Sequence, residues 1–398
     1  MNRFISVLFA AAYFVVPLFP AFITLAPVTV PGVSLLPLKW TIGLLGLMTA
    51  IALCSVALLL RAPRQWPPTL GPLLLWLCAG VLAAGLGFSP RSGLLFIGIF
   101  VLGIVWHLMT LRYYTIPGVS RAIFCSYLGS GTLAALAAIV MVILRQPARQ
   151  YGIGHARAIG TFILPGELAG YLILFLPTAF GVALLSKDRA LRALAHAALL
   201  AGTAAFVMTF SRAGWMGLAA AVAFYVYMAG GVRRRYAPLI LLAGLGAVLL
   251  VFNVHHDPSE NFTRLSIWQA GVEIARRFPL TGVGPFDFAR IYPLVRLPDG
   301  DATAFHAHSF MLTVLAETGV IGALSVLFAW WRFAAILETR LRSARPDHAK
   351  LALAIAAGLA GTWVQGLIDT VSVVIFGLWL PTIALALMTA TDGLGAQR

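Results

Sequence analysis

The chain has 398 residues, of which 61% are hydrophobic and 10% charged, and its formal net charge is +15. Soluble domains carry about 25% charged residues, so this composition excludes an ordinary soluble enzyme and predicts an integral membrane protein. The basic excess comes with no nucleic-acid module; it divides between membrane topology and whatever anion the protein handles.

Apolar windows near 20 residues predict helices, because unpaired backbone is costly in lipid and the alternating pattern of barrel strands is absent. Met1-Asn2-Arg3 resembles the start of a signal peptide. The apolar run from Phe4 continues past Pro20 without a small-residue cleavage site, so it reads as an uncleaved first span. An all-α membrane protein of about twelve transmembrane helices is expected. The spans fall near 4–26, 40–60, 69–88, 93–111, 119–144, 166–186, 191–210, 213–230, 237–254, 308–330, 350–368 and 371–390. Cys54, Cys78 and Cys125 all lie inside these runs and read as small core residues, not as a disulfide framework.

Most of the 28 lysines and arginines fall on one side when the N-terminus is inside, among them Arg233, Arg234, Arg235, Arg340, Arg342, Arg345 and Lys350. That bias puts both termini in the cytoplasm. Residues 1–398 then form a single polytopic membrane domain with two outer elaborations. One is a smaller loop at 145–165 and the other a large loop at 253–307. In the large loop, Pro258-Ser259-Glu260 reads as a helix start. Phe262, Leu265, Trp268 or Gln269, Val272 and Ala275 recur at helical spacing, as in a helix lying on the membrane surface.

The basic residues left on the outer side are nearly all arginines. Arginine offers a permanently charged planar fork that pairs with phosphate oxygens through two hydrogen bonds. As a group they point to an outward anion site; singly, each can also be a solvated or headgroup-facing side chain. Arg157 lies in R-A-I-G-T-F before Pro165-Gly166-Glu167, and Arg212 sits in the tight F-S-R-A-G-W turn between two spans. Arg264 stands four residues before Trp268, and Arg290 and Arg296 follow later in the large loop. The Gly282-Val283-Gly284-Pro285 turn is a sharp reversal and no dinucleotide fingerprint, since no βαβ unit surrounds it.

His306-Ala307-His308 closes the large loop against an apolar run. A histidine at a membrane–water boundary is suited to moving a proton near neutral pH, and equally to packing as a polar interfacial ring. With Asp287, Asp299 and Asp301 nearby in sequence, a His-x-His metal site is a lesser alternative without a complete ligand set. Glu317 comes nine residues after His308, about 900° round a helix and about 14 Å along it, so the two face opposite ways. A carboxylate in the apolar layer is paired or functional by default, and a structural partner is the preferred reading here.

Together these motifs resemble the O-antigen ligase and polymerase superfamily. The resemblance rests on S-R-A-G-W from Ser211, R-x-x-x-W from Arg264, P-L-T-G-V-G-P-F-D-F from Pro279, and H-S-F-M-L-x-x-x-x-E-T-G-x-x-G from His308. R-A-I-G-T-F…P-G-E-L-A from Arg157 is similar to the family's first outer loop, and the match runs over roughly 150–325. Two departures are visible: His308-Ser309 where the family has His-Asn, and Gly166-Glu167 where it often has Asn.

The resemblance implies a GT-C-like inverting glycosyltransferase of the inner membrane, working on the periplasmic face without metal or other cofactor. Its donor would be a glycan on undecaprenyl pyrophosphate and its acceptor lipid A–core, within the lipid bilayer and with no nucleic acid. It further implies His308 as general base and Arg157, Arg212 and Arg264 on the pyrophosphate, with Arg290, Arg296, His306 and Glu317 as weaker site candidates. An O-antigen ligase is the first expectation. A polymerase using the same donor, a protein O-oligosaccharyltransferase and a lipid-linked glycan transporter remain alternatives.

Overall fold

A computed structural model of the protein describes residues 2–15, 51, 53–58, 60, 66–145, 157–162, 164–254, 258–301, 304–343, 346–369 and 376–390. Much of the expected first two spans and most of the 145–165 loop lie outside these residues. Within them the chain is helical and holds no strand. The helices are α1 (Asn2–Val15), α2 (Leu70–Leu86), α3 (Pro90–Tyr113), α4 (Val119–Leu144), α5 (Pro165–Leu185), α6 (Arg189–Met208) and α7 (Arg212–Ala229). They continue with α8 (Ala237–Val254), α9 (Pro258–Arg277), the single turn α10 (Phe288–Ile291), α11 (Phe310–Ser343), α12 (Pro346–Gln365) and α13 (Phe376–Ala390).

Among the described residues six stretches are long and apolar enough to cross a membrane: α3, α4, α5, α6, Gly231–Val251 and Phe310–Arg342. The protein is therefore a multi-pass membrane protein, with six spans assigned by length and composition where the sequence reading expects about twelve. Helices such as α2 fall short because turn residues cut the apolar runs early. Ser89 caps α3 by accepting from the Ser92 amide at 3.3 Å, with Pro90 at the first helical position. Asp188 accepts from the Ala190 and Leu191 amides to start α6, and Ser211 accepts from Gly214 to start α7.

The most apolar helices are not the most buried. The apolar window of α5 is 78% buried and that of Gly231–Val251 only 17%, so α5 is the central post and α8 a peripheral one. Backbones approach closely around the post. A Cβ on Gly217 of α7 would stand 2.7 Å from the Gly361 carbonyl of α12, and one on Gly361 would stand 2.5 Å from the Gly217 carbonyl. The cysteines correct the sequence reading: Cys78 is exposed and Cys54 and Cys125 are half-buried. In lipid an apolar residue gains nothing by facing inward, so apolarity alone does not predict the core.

One long helix is broken in a defined way. α11 runs 34 residues, but Gly319 has φ 63° and ψ −166°, which divides it into a short first segment and a long second one. The Gly282–Pro285 turn docks into the break. The Val283 and Gly284 amides donate to the Ala316 and Glu317 carbonyls at 3.0 and 2.9 Å, and the Val320 amide, freed by the kink, donates to Pro279 O at 2.9 Å. A Cβ on Gly319 would lie 2.2 Å from the Leu280 carbonyl oxygen, and one on Gly282 would lie 2.3 Å from the Glu317 carbonyl carbon. The other side of the turn meets the α2–α3 corner, where the Phe88 amide donates to Val283 O at 3.0 Å and the Ser89 amide to Asp287 Oδ2 at 2.8 Å. Gly319→Ala combines a positive φ with a backbone clash, so a loss of about 3 kcal/mol or more is expected. Thermal unfolding in detergent checks it; an unchanged midpoint would mean the turn does not depend on this interlock.

Candidate functional site

His308 does not begin the helix as the sequence reading has it; α11 starts two residues later, at Phe310. His308 precedes it with φ 47°, a left-handed conformation rare for a residue with a side chain. The helix start is fixed by the Phe310 amide donating to the Gly366 carbonyl at 2.6 Å, which brings the end of α12 against it. As a result Asp369, just past α12, meets the imidazole: His308 Nδ1 lies 3.4 Å from Asp369 Oδ1. Arg264 Nη2 approaches the other carboxylate oxygen at 3.5 Å.

The R-x-x-x-W spacing on α9 accounts for two of these contacts. Residues four apart share a helix face. Arg264 reaches Asp369 while Trp268 Nε1 donates to the His308 carbonyl at 3.4 Å. The face of α9 that packs inward carries Ile267, Ala270 and Ile274, whereas Phe262, Leu265 and Val272 point outward and are exposed. Of the apolar spacing seen in sequence, Phe262, Leu265 and Val272 thus face outward, while Trp268 turns in to His308.

Burial alone would raise the Asp369 carboxyl. The hydrogen bond from His308 and the positive charge of Arg264 outweigh it and hold Asp369 well below the usual carboxylate range. The carboxylate also sits on the N-terminal turn of α5, where a Cβ on Gly166 would lie 2.5 Å from Asp369 Oδ2. Gln365 Nε2 closes the same corner by donating to the Gly166 carbonyl at 2.7 Å. Gly166→Ala is expected to push Asp369 off His308 and to cut turnover at least about tenfold, with helical content unchanged. Full turnover in that variant would show that the carboxylate has room to move.

Arg157 and Arg212 come together at the α6–α7 turn. Arg157 Nε donates to Thr209 O at 2.9 Å and its Nη2 to Phe210 O at 3.4 Å, so it braces the backbone that presents Arg212. Gly214 packs on Ala169 of α5 and Gly217 on Gln365 of α12, which sets Arg212 at the same end of the bundle as Asp369. Arg290 is exposed and pairs with Asp287 at 3.6 Å; Arg296 donates to Gly300 O at 2.9 Å within its own loop. Glu317 is buried at the helix break, where Oε1 accepts from the Phe288 amide at 3.3 Å. His306 is buried beside His308, with ring centroids 4.3 Å apart. Among the described residues no three histidine, cysteine or acidic side chains converge on a metal site. Asp287, one proposed ligand, is turned away onto Ser89.

Asp369 is the residue sequence reasoning misses. It lies 61 positions from His308 and 105 from Arg264. Its only local signal is a carboxylate at the break between two apolar runs. Below the cluster an apolar cavity of about 290 Å³ opens among α2, α7, α11, α12 and α13; Phe310, Trp363 and Gly366 line its upper end and Leu337 and Met388 its far end.

Residues 196–327 match the family model described as O-antigen ligase. The matched stretch holds Arg212, Arg264, Trp268, His306 and His308, and the sequence resemblance is borne out over it. No curated protein matches the chain.

Proposed function

We propose that this chain, which carries an O-antigen ligase family domain over residues 196–327, is an O-antigen ligase: an inverting glycosyltransferase that moves glycan from undecaprenyl pyrophosphate to lipid A–core. The observation that carries the reading is the meeting of His308, Asp369 and Arg264 beside the turn that presents Arg212. Outside the inner membrane no nucleotide sugar is supplied, so the donor must bring its own activated leaving group, and a lipid pyrophosphate is one.

The chemistry follows from the tautomer. A carboxylate against Nδ1 keeps the proton on that nitrogen and leaves the Nε2 lone pair free. Nε2 takes the proton of the acceptor hydroxyl as its oxygen attacks the anomeric carbon. The bond from that carbon to the pyrophosphate oxygen breaks on the opposite face, which inverts the centre. Negative charge grows on the phosphate oxygens, where the guanidinium groups of Arg212 and Arg264 are fixed in advance. Arg157 acts one step behind, by holding the turn under Arg212. The apolar cavity beneath offers the polyprenyl tail a place out of water. On this reading the active site faces the periplasm and both termini lie in the cytoplasm, as the lysine and arginine bias of the sequence suggests.

A transporter would need ionisable groups aligned across the membrane. His107, a candidate for such a group, has both ring nitrogens engaged with neighbours, Nε2 with Thr69 Oγ1 at 2.6 Å and Nδ1 with Thr382 O at 2.9 Å. That pattern favours a one-sided site. The test uses purified protein, a chelator, a synthetic undecaprenyl-pyrophosphate glycan and two acceptors, lipid A–core and a second repeat unit. Product on lipid A–core is expected, chelator or not. Chain lengthening would make the protein a polymerase with the same donor, and no transfer to either would remove the enzymatic reading.

A further inference from the structure

Among the described residues His308 is one of four other than glycine with positive φ, the others being Arg145, Phe210 and Phe286. Such a conformation costs of order 1–3 kcal/mol and persists only where the surroundings over-determine it. At His308 both backbone polar groups are held by side chains. Its amide donates to His306 Nδ1 at 3.0 Å, and its carbonyl accepts from Trp268 Nε1 at 3.4 Å. The neighbouring Ala307 amide donates to Thr313 Oγ1 at 3.2 Å, which pins the entry to the helix.

The His306 ring is enclosed where it makes this bond. It is 1% exposed, closed in by Phe305 on one side and the His308 ring on the other, each at 4.3 Å. His308 itself keeps 20% of its side chain open. Because Nδ1 accepts a backbone proton, the ring's own proton sits on Nε2 and the ring is neutral. Burial and then the neighbouring His308 charge push its ionisation well below the ordinary histidine range, so the accepting lone pair stays available across the working pH.

We propose that His306 is a positioning residue: by accepting the His308 amide proton at Nδ1 it holds His308 in the left-handed conformation that aims its imidazole at Asp369. The inference deepens the transferase reading and rests on it only for the kinetic half of its test. The bond needs a lone pair at one place, and side-chain isosteres can supply or misplace it. In His306→Asn the amide oxygen falls where Nδ1 was. In His306→Gln it reaches one bond further, near Nε2. His306→Ala supplies none.

The expected result is that His306→Asn keeps kcat within about threefold, while the Gln and Ala variants lose roughly tenfold to a hundredfold, the cost of releasing a strained backbone. Donor KM should stay unchanged in all three, because Arg212 and Arg264 are untouched. A second readout needs no turnover: the rate at which diethyl pyrocarbonate modifies His308, followed by peptide mass spectrometry. Release from Asp369 should speed it in the Gln and Ala variants and leave it near wild type in Asn. Rescue by Gln but not Asn would assign the role to Nε2, as a proton relay, and overturn the proposal. Equal loss or equal activity and equal modification in all three variants would also overturn it. Were His308→Ala to retain transfer, the catalytic reading would fall, while the modification rates would still decide the conformational one.

Discussion

His308→Ala is expected to lower the transfer rate by about 10²–10⁴-fold, the usual worth of a positioned base, or about 3–5 kcal/mol of barrier. Donor binding should survive, since Arg264 is linked to the imidazole through the Asp369 carboxylate and keeps its place on α9. The fold should survive as well: the side chain is 20% open and its backbone bonds do not need the ring. Asp369→Asn is the informative companion. The amide preserves shape but loses the anion, so the imidazole tautomer is no longer fixed and turnover should fall nearly as far. Asp369 is held well below the carboxylate range despite its burial, so it is the anion that Asn removes. Wild-type turnover in Asp369→Asn would mean Asp369 is not coupled to the base.

What the sequence could and could not reveal follows from the range of each contact. Arg264 and Trp268 are legible as a pair because a helix puts residues four apart on one face, and both converge on the same histidine and carboxylate. Asp369 is not legible, because only the folding of α12 against α11, fixed by the Phe310–Gly366 bond, brings it near. The Gly282 and Gly319 positions read as a turn and a helical glycine; that they interlock backbone to backbone is a tertiary fact. The span count is tested over the described residues alone, where six stretches qualify; hydropathy does not report burial, since α3 is the most apolar of the six and α5 the most buried.

Three of the four strained residues among those described share one logic. The amide of Phe286 is bonded by the Glu317 carboxylate and the carbonyl of Phe210 by Arg157, just as His306 and Trp268 hold His308. In each case a polar side chain from elsewhere takes up a main-chain group that a left-handed turn leaves exposed. Arg157, which sequence reasoning assigns to the pyrophosphate, and Glu317, for which it prefers a structural partner, therefore both act on the backbone in this structure. Their replacement should disturb the site through its frame, with losses in thermal stability that His308→Ala does not share.

Arg212→Lys is the sharpest test of how the anion is held. Arg212 stands at the first position of α7, on a turn fixed by the Ser211 cap and by Arg157 on the two preceding carbonyls. Lysine keeps the charge but replaces a planar fork by a point donor, so one of two bonds to a phosphate oxygen pair is lost. A charge-assisted hydrogen bond contributes about 1.5–3 kcal/mol, so kcat/KM for the lipid pyrophosphate donor should fall roughly 10- to 150-fold. Because the charge on the leaving group grows as the glycosidic bond breaks, much of that loss should appear in kcat and less in KM. Arg290→Lys supplies the control, since Arg290 is exposed and paired with Asp287 away from the histidine. If Arg212→Lys turned over at the wild-type rate, the positive charge alone would suffice and the bidentate grip would be wrong. If the loss fell wholly on KM, Arg212 would hold the donor equally before and during bond breaking, and stabilisation of the departing pyrophosphate would rest on Arg264.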